Sequence, residues 1–148
     1  MHRSKRSLDI LLFDLAWLAG LLEGEGYFGT VSNHVGGRRY RYARVGVAMT
    51  DRDVIERVAR LWQASVSVVK PSGVSKKMAY RTHLFGQRAV KMMQMLKPLM
   101  GTRRQQRIAE VLHEESQRPD PNELRRMWSS NAYARREVDD QGRLRPNI

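Results

Sequence analysis

From Leu8 to Leu22 the chain is mostly apolar, and it then breaks into Glu23-Gly24-Glu25-Gly26-Tyr27-Phe28. Leu11, Leu12, Leu15, Leu18, Leu21 and Leu22 recur at helical spacing, which predicts a helix ending near Gly24 with Gly26 as its break. Such a helix end is chemically awkward. Glu23 and Glu25 both fall in the last turn, where the macrodipole is negative and each acid costs about a few tenths of a kcal/mol. Something must compensate them. A divalent cation would do so, because Mg²⁺ takes oxygen ligands and is commonly held by one or two carboxylates together with substrate phosphates. Gly20 and Gly24, with Ala16 and Ala19, also form a stripe of small residues along which another helix can approach closely.

The basic residues Arg3, Lys5 and Arg6 ahead of this stretch invite comparison with a signal peptide. Asp9 and Asp14 interrupt the apolar run, and it ends in acids and glycines where a small-residue cleavage site would stand. The uninterrupted apolar run is far too short to cross a bilayer, so no membrane partner is expected. There is no cysteine, which excludes disulfide scaffolds, thiolate zinc sites, iron–sulfur ligation and cysteine nucleophiles, and points to an intracellular protein. The four histidines, His2, His34, His83 and His113, show no metal-ligand spacing.

Charge is distributed unevenly. The net charge is +12, and two segments contain no acid at all. One, residues 26 to 50, holds Arg38, Arg39, Arg41 and Arg44; the other, residues 62 to 101, holds Lys70, Lys76, Lys77, Arg81, Arg88, Lys91 and Lys97. Both read as β-rich, so the charge should concentrate on a sheet face, a surface that binds phosphate backbones through counterion release.

Tyr27 to Asn33 and Tyr40 to Met49 read as a hairpin closed at Val35-Gly36-Gly37-Arg38. Thr50-Asp51-Arg52-Asp53 has the pattern of a capping box and opens a helix with Val54, Ile55, Val58, Leu61 and Trp62 inward. The pattern repeats: strands at Ser65 to Val69 and Met78 to Phe85, a helix from Arg88 to Leu96 broken by Pro98, and another helix from Thr102. Residues 1–118 make one compact domain. Residues 119–148 form a separate, partly flexible tail, with Asp120 as N-cap and Pro121 at the first position of a helix reaching about Arg135.

The string Leu18-Ala19-Gly20-Leu21-Leu22-Glu23-Gly24-Glu25-Gly26 resembles the LAGLIDADG motif of homing endonucleases, with Leu for Ile, Glu for Asp and Gly for Ala. The resemblance implies an α+β fold with an α-β-β-α-β-β-α core, a four-stranded antiparallel saddle sheet and here a C-terminal helical tail. One motif per chain is similar to the homodimeric branch. Leu18, Ala19, Gly20, Leu21, Glu23 and Gly24 would then lie at the dimer interface. Glu25 falls on the motif's metal-binding acid, with the Gly24 carbonyl as its companion ligand for Mg²⁺ or Mn²⁺. A basic residue near the scissile phosphate is the family's second recurring element. Arg103 matches it best, with Arg104 beside it, in an electrostatic role, since arginine is no base at neutral pH.

Strand alternation addresses DNA contact. Val45 and Val47 share the parity of Arg39 and Arg41 and should enter the core, leaving Tyr40, Tyr42 and Arg44 toward DNA. Near the turns both parities can reach phosphates, so Arg39 and Arg41 remain candidates with Asn33, His34, Arg38, Lys70, Lys76 and Lys77. Either Arg81 with His83 or Tyr80 with Thr82 joins them, and the sequence leaves that choice open.

By resemblance, the expected activity is metal-dependent, site-specific cleavage of double-stranded DNA by a homodimer at a palindromic or near-palindromic target, across the minor groove with short 3′ overhangs. An intron RNA maturase or a non-cleaving DNA-binding regulator on the same fold is the alternative. A generic basic nucleic-acid-binding protein would also carry this charge, but would be a monomer indifferent to metal.

Overall fold

The computed structural model describes residues 10–35, 37–74, 77–118, 120, 122–123 and 125–126. Its elements follow the order α1 (Leu12–Glu25), β1 (Gly26–Val35), β2 (Arg38–Met49), α2 (Arg52–Trp62), β3 (Ser67–Val69), β4 (Ala79–Phe85), α3 (Gln87–Leu96), a 3₁₀ turn (Lys97–Leu99) and α4 (Thr102–Ser116). The strands form one antiparallel sheet in the order β1-β2-β4-β3. No helix among the described residues is long and apolar enough to cross a membrane.

Alternation along the strands gives the sheet two unlike faces. Phe28 is paired with Val45, and Val45 with Leu84; all are buried beneath the helices with Ala43 and Val47. Onto this face α1 contributes Leu18 and Leu22, α2 Ile55, Val58 and Trp62, α3 Met92, Met93 and Leu96, and α4 Ile108 and Val111. The opposite face carries no helix-covered core residue and presents Tyr27, Tyr42, Arg44, Arg81, His83 and Phe85.

Several local expectations are corrected. The capping box at Thr50 is not formed: α2 begins at Arg52, and its N-cap, Asp51, makes no side-chain capping bond. At the other end Gln63 takes a left-handed conformation (φ 49°), which lets the Ala64 N–H return to the Ala59 carbonyl at 2.9 Å. The third strand starts at Ser67 rather than Ser65, because the Ser65 carbonyl accepts the Thr82 hydroxyl at 3.0 Å outside the ladder. Gly26 does end α1, but in extended backbone (φ −74°); what requires glycine is space, since a Cβ there would lie 2.5 Å from the Leu22 carbonyl oxygen.

The β1–β2 hairpin outruns β4, which ends opposite Arg44. This would leave the β2 edge with unpaired backbone groups. At Ala43 both are met locally: the Gly86 N–H reaches the Ala43 carbonyl at 2.8 Å, and the buried Glu115 carboxylate of α4 accepts the Ala43 N–H at 2.8 Å. In the tail, the Asn122 N–H bonds the Asp120 carboxylate at 2.9 Å as expected of an N-cap. Asn122, Glu123, Arg125 and Arg126 are helical, and the expected helix beyond Arg126 lies outside the described residues.

Candidate active site and nucleic-acid interface

The two acids of the α1 terminus meet different fates. Glu23 turns toward α4 of its own chain, where its carboxylate accepts the Gly101 N–H at 3.0 Å, so the negative end of one helix is set against the positive end of another. Arg104 adds to the same junction: its Nε donates to the Glu23 carbonyl at 3.1 Å and its guanidinium lies 5.7 Å from the Phe28 ring centroid. Arg107 donates to the Phe28 carbonyl at 3.0 Å. The compensation that the sequence demands for Glu23 is therefore supplied by protein. Glu25 is exposed and makes no hydrogen bond or ion pair with any described residue.

This arrangement revises several expectations. Arg104, expected at DNA, is half-buried and its Nε is tied to the α1–β1 corner. Arg103, on the exposed side of α4, is without a partner among the described residues. Of the residues expected at a dimer interface, Leu18 and Ala19 are buried in the chain's own core, Leu21 is half-buried against it, and Glu23 is engaged by α4. The physical reason is the helical period: 18, 19 and 22 face the sheet, while Phe13, Ala16, Gly20 and Gly24 share the outward stripe. Phe13 is 92% exposed, and a Cβ at Gly20 or Gly24 would meet nothing within 4 Å.

The expected DNA contacts divide by sheet face. Asn33, Tyr40, Tyr42 and Arg44 share the outer face with Arg81 and His83, which decides the parity of β4: Thr82 and Leu84 are buried on the opposite side. His34, Arg39 and Arg41 lie on the helix-facing side of the hairpin. There Arg41 stands 3.7 Å from Glu114 and Arg39 donates to the Ser32 hydroxyl at 2.9 Å. Lys70 and Lys77 are exposed beside the β3–β4 connection. Lys76 and the side chain of Arg38 lie outside the described structure. Arg88 is spent inside the fold, donating to the Trp62 and Gln63 carbonyls at the C-terminal end of α2.

The outer face also holds two aromatic residues absent from the candidate list. Tyr27 lies under the Arg44 guanidinium, which is 4.8 Å from its ring centroid. Phe85 packs against Tyr42 and His83, with centroids 6.2 and 5.6 Å apart. Their parity with Asn33 and with Arg81 was available as a signal. Between Arg44 and Arg81, and partly buried, His83 is held below the ordinary histidine value of 6.5, first by desolvation and then by those two cations. None of the four strands contains an acid.

No known family description and no curated protein matches the sequence. Solved structures do match. The homing endonuclease I-CvuI, solved with I-CreI target DNA and Mg, superposes with a TM-score of 0.56 at 16% identity over 90% of this chain and 86% of that one. The chain has the LAGLIDADG homing-endonuclease fold. A second I-CvuI complex, with its own target and Ca, gives a TM-score of 0.53 at 15% identity over 68% of this chain and 64% of that chain. The LAGLIDADG homing endonuclease I-LtrWI, bound to target DNA, gives 0.51 at 17% identity over 90% of this chain. This chain spans about half of I-LtrWI, 46% of its length. In that fold the single α-β-β-α-β-β-α repeat agrees with the one motif in the sequence.

Proposed function

We propose that this protein is a site-specific DNA endonuclease that works as a homodimer and requires Mg²⁺ or Mn²⁺. The observation that carries the reading is the division of labour in one helical turn: Glu23 is bound to the Gly101 N–H, whereas Glu25 is exposed and unpaired beside a basic, acid-free sheet.

The donor set suits a hard divalent ion, since the Glu25 carboxylate and the Gly24 carbonyl both present oxygen. Glu25 is the unengaged carboxylate of the α1 terminus, and a second copy would bring its own. A bound divalent ion supplies Lewis-acid polarisation of a phosphate and a lowered pKa for an attacking water. Arg103, exposed on α4, would stabilise negative charge building on the phosphate.

The dimer surface is the outward stripe of α1. Its start carries large apolar side chains in the open, with Leu12 76% and Phe13 92% exposed, and such a surface favours cover by another apolar face. Gly20 and Gly24 let a second α1 approach closely enough to bring the two Glu25 residues together. Two-fold symmetry of the protein then requires a palindromic or near-palindromic duplex, with the outer sheet faces in successive major grooves, which accept a β-ribbon.

The test is cleavage of a randomised palindromic DNA library with Mg²⁺, comparing wild type with Glu25→Gln and sequencing the ends. Discrete cuts with short 3′ overhangs, lost in the variant while binding persists, are expected. Tight binding by both proteins with no metal-dependent cut would make the protein a non-cleaving binder, and preference for structured RNA over the duplex would make it a maturase.

A further inference from the structure

Arg44 is the central cation of the outer sheet face. It sits on β2, between Gly29 of β1 and Phe85 of β4 in the paired register. Gly29 has no side chain, and the gap is filled by Tyr27, whose ring lies where a Gly29 Cβ would project. On that ring rests the Arg44 guanidinium, 4.8 Å from the centroid. Two residues further along β2, on the same face, Gly46 leaves a second gap, and the His83 ring comes within 3.5 Å of a Cβ placed there. A floor of two glycines is thus walled by two rings, with Arg44 pinned at its centre.

The donors of Arg44 are unspent. Its Nε is buried without a partner, and its guanidinium donates no hydrogen bond to any described residue. Arg81, on the same face, also makes no hydrogen bond or ion pair with a described residue, but it is exposed and has no aromatic ring beneath it among the described residues; Arg39, Arg41, Arg88, Arg104 and Arg107 each bond or pair within the chain. A planar cation stacked on an aromatic ring has lost the rotational freedom of a surface lysine, and its fork of N–H groups needs two acceptors in one plane. In duplex DNA the major-groove edge of guanine, N7 with O6, offers that pair. Phosphates can be met by any flexible rim cation, and Lys70 and Lys77 are exposed in that way.

We infer that Arg44 is a guanine-reading residue in each half-site, and that Tyr27 is its positioning residue, given room by Gly29. The inference rests on the reading of this sheet as a DNA-binding surface and adds the base and the residues that select it.

The experiment is binding selection from randomised duplex DNA with wild type, Arg44→Ala, Arg44→Lys, Tyr27→Ala and Tyr27→Phe, each first checked for an unchanged melting temperature. Wild type should enrich a target with guanine at one position per half-site. Arg44→Ala and Arg44→Lys should lose preference there by about 5- to 150-fold while other positions keep theirs. Tyr27→Ala should weaken the same position alone, and Tyr27→Phe should restore it. A uniform loss across all sequences in Arg44→Ala, with the salt slope reduced by about 1, would make Arg44 a phosphate contact and overturn the inference. If Tyr27→Ala leaves that position as selective as in wild type, the positioning role falls. If wild type enriches no sequence, the DNA-recognition reading itself falls and the inference with it.

Discussion

Glu23 and Gly101, 78 positions apart in sequence, are joined by a hydrogen bond of 3.0 Å from the Gly101 N–H to the Glu23 carboxylate. The bond caps α4 with a side chain from α1, and it separates Glu23 from its neighbour Glu25 in purpose as well as in direction.

Glu23→Ala should therefore destabilise the fold by about 1 kcal/mol, the cost of a lost helix cap. For a domain of this size that is a drop of about 2–6 °C in melting temperature. Glu25→Ala should leave the melting temperature unchanged within error. Thermal denaturation of both variants checks this, and the reverse pattern would place the structural acid at position 25.

A side chain at Gly20 tests the outward stripe of α1. Nothing lies within 4 Å of a Cβ there, so Gly20→Leu fits a single chain and should gain up to about 1 kcal/mol of helix propensity. Between two closely crossed helices it does not fit. Sedimentation equilibrium should show a folded monomer for the variant and a dimer for wild type; an undiminished dimer would move the interface elsewhere.

Glu115 should matter more than an ordinary glutamate, because its buried carboxylate is the acceptor for the Ala43 N–H where β4 has ended. Glu115→Ala leaves that N–H unpaired at about 1–3 kcal/mol, and Glu115→Gln, which keeps an acceptor, should lose less. Urea denaturation gives the energies. Faster hydrogen exchange at the Ala43 amide in Glu115→Ala would locate the effect at the hairpin.

His83 should make stability fall in mild acid. Its folded pKa lies below the ordinary 6.5, because burial and then Arg44 and Arg81 disfavour the imidazolium. The unfolded chain binds the proton first as pH falls, so the stability contribution is complete above about 6.5 and is lost as pH descends through the lower folded value. His83→Gln should flatten that slope, and Arg44→Ala should move the His83 titration upward by nuclear magnetic resonance. An unaltered titration in Arg44→Ala would mean that burial and Arg81 set it without Arg44.

The sequence by itself determined the element order, the inward parity of Val45 and Val47, and the motif whose last acid is Glu25. These are local quantities: helical and strand periods, glycine breaks and residue type are legible without a fold. Tertiary structure decided which cations and acids are already spent. Arg88 is consumed by the end of α2, Arg41 stands beside Glu114, and Arg104 and Gly101 engage Glu23, all through partners far away in the chain. The parity of β4 also needed the fold, because alternating residues on that strand are polar or amphipathic and only its register with β2 put Thr82 under the helices and His83 outside. Periodicity tells which residues share a face; only packing tells which face is covered, and which charge is left free to act.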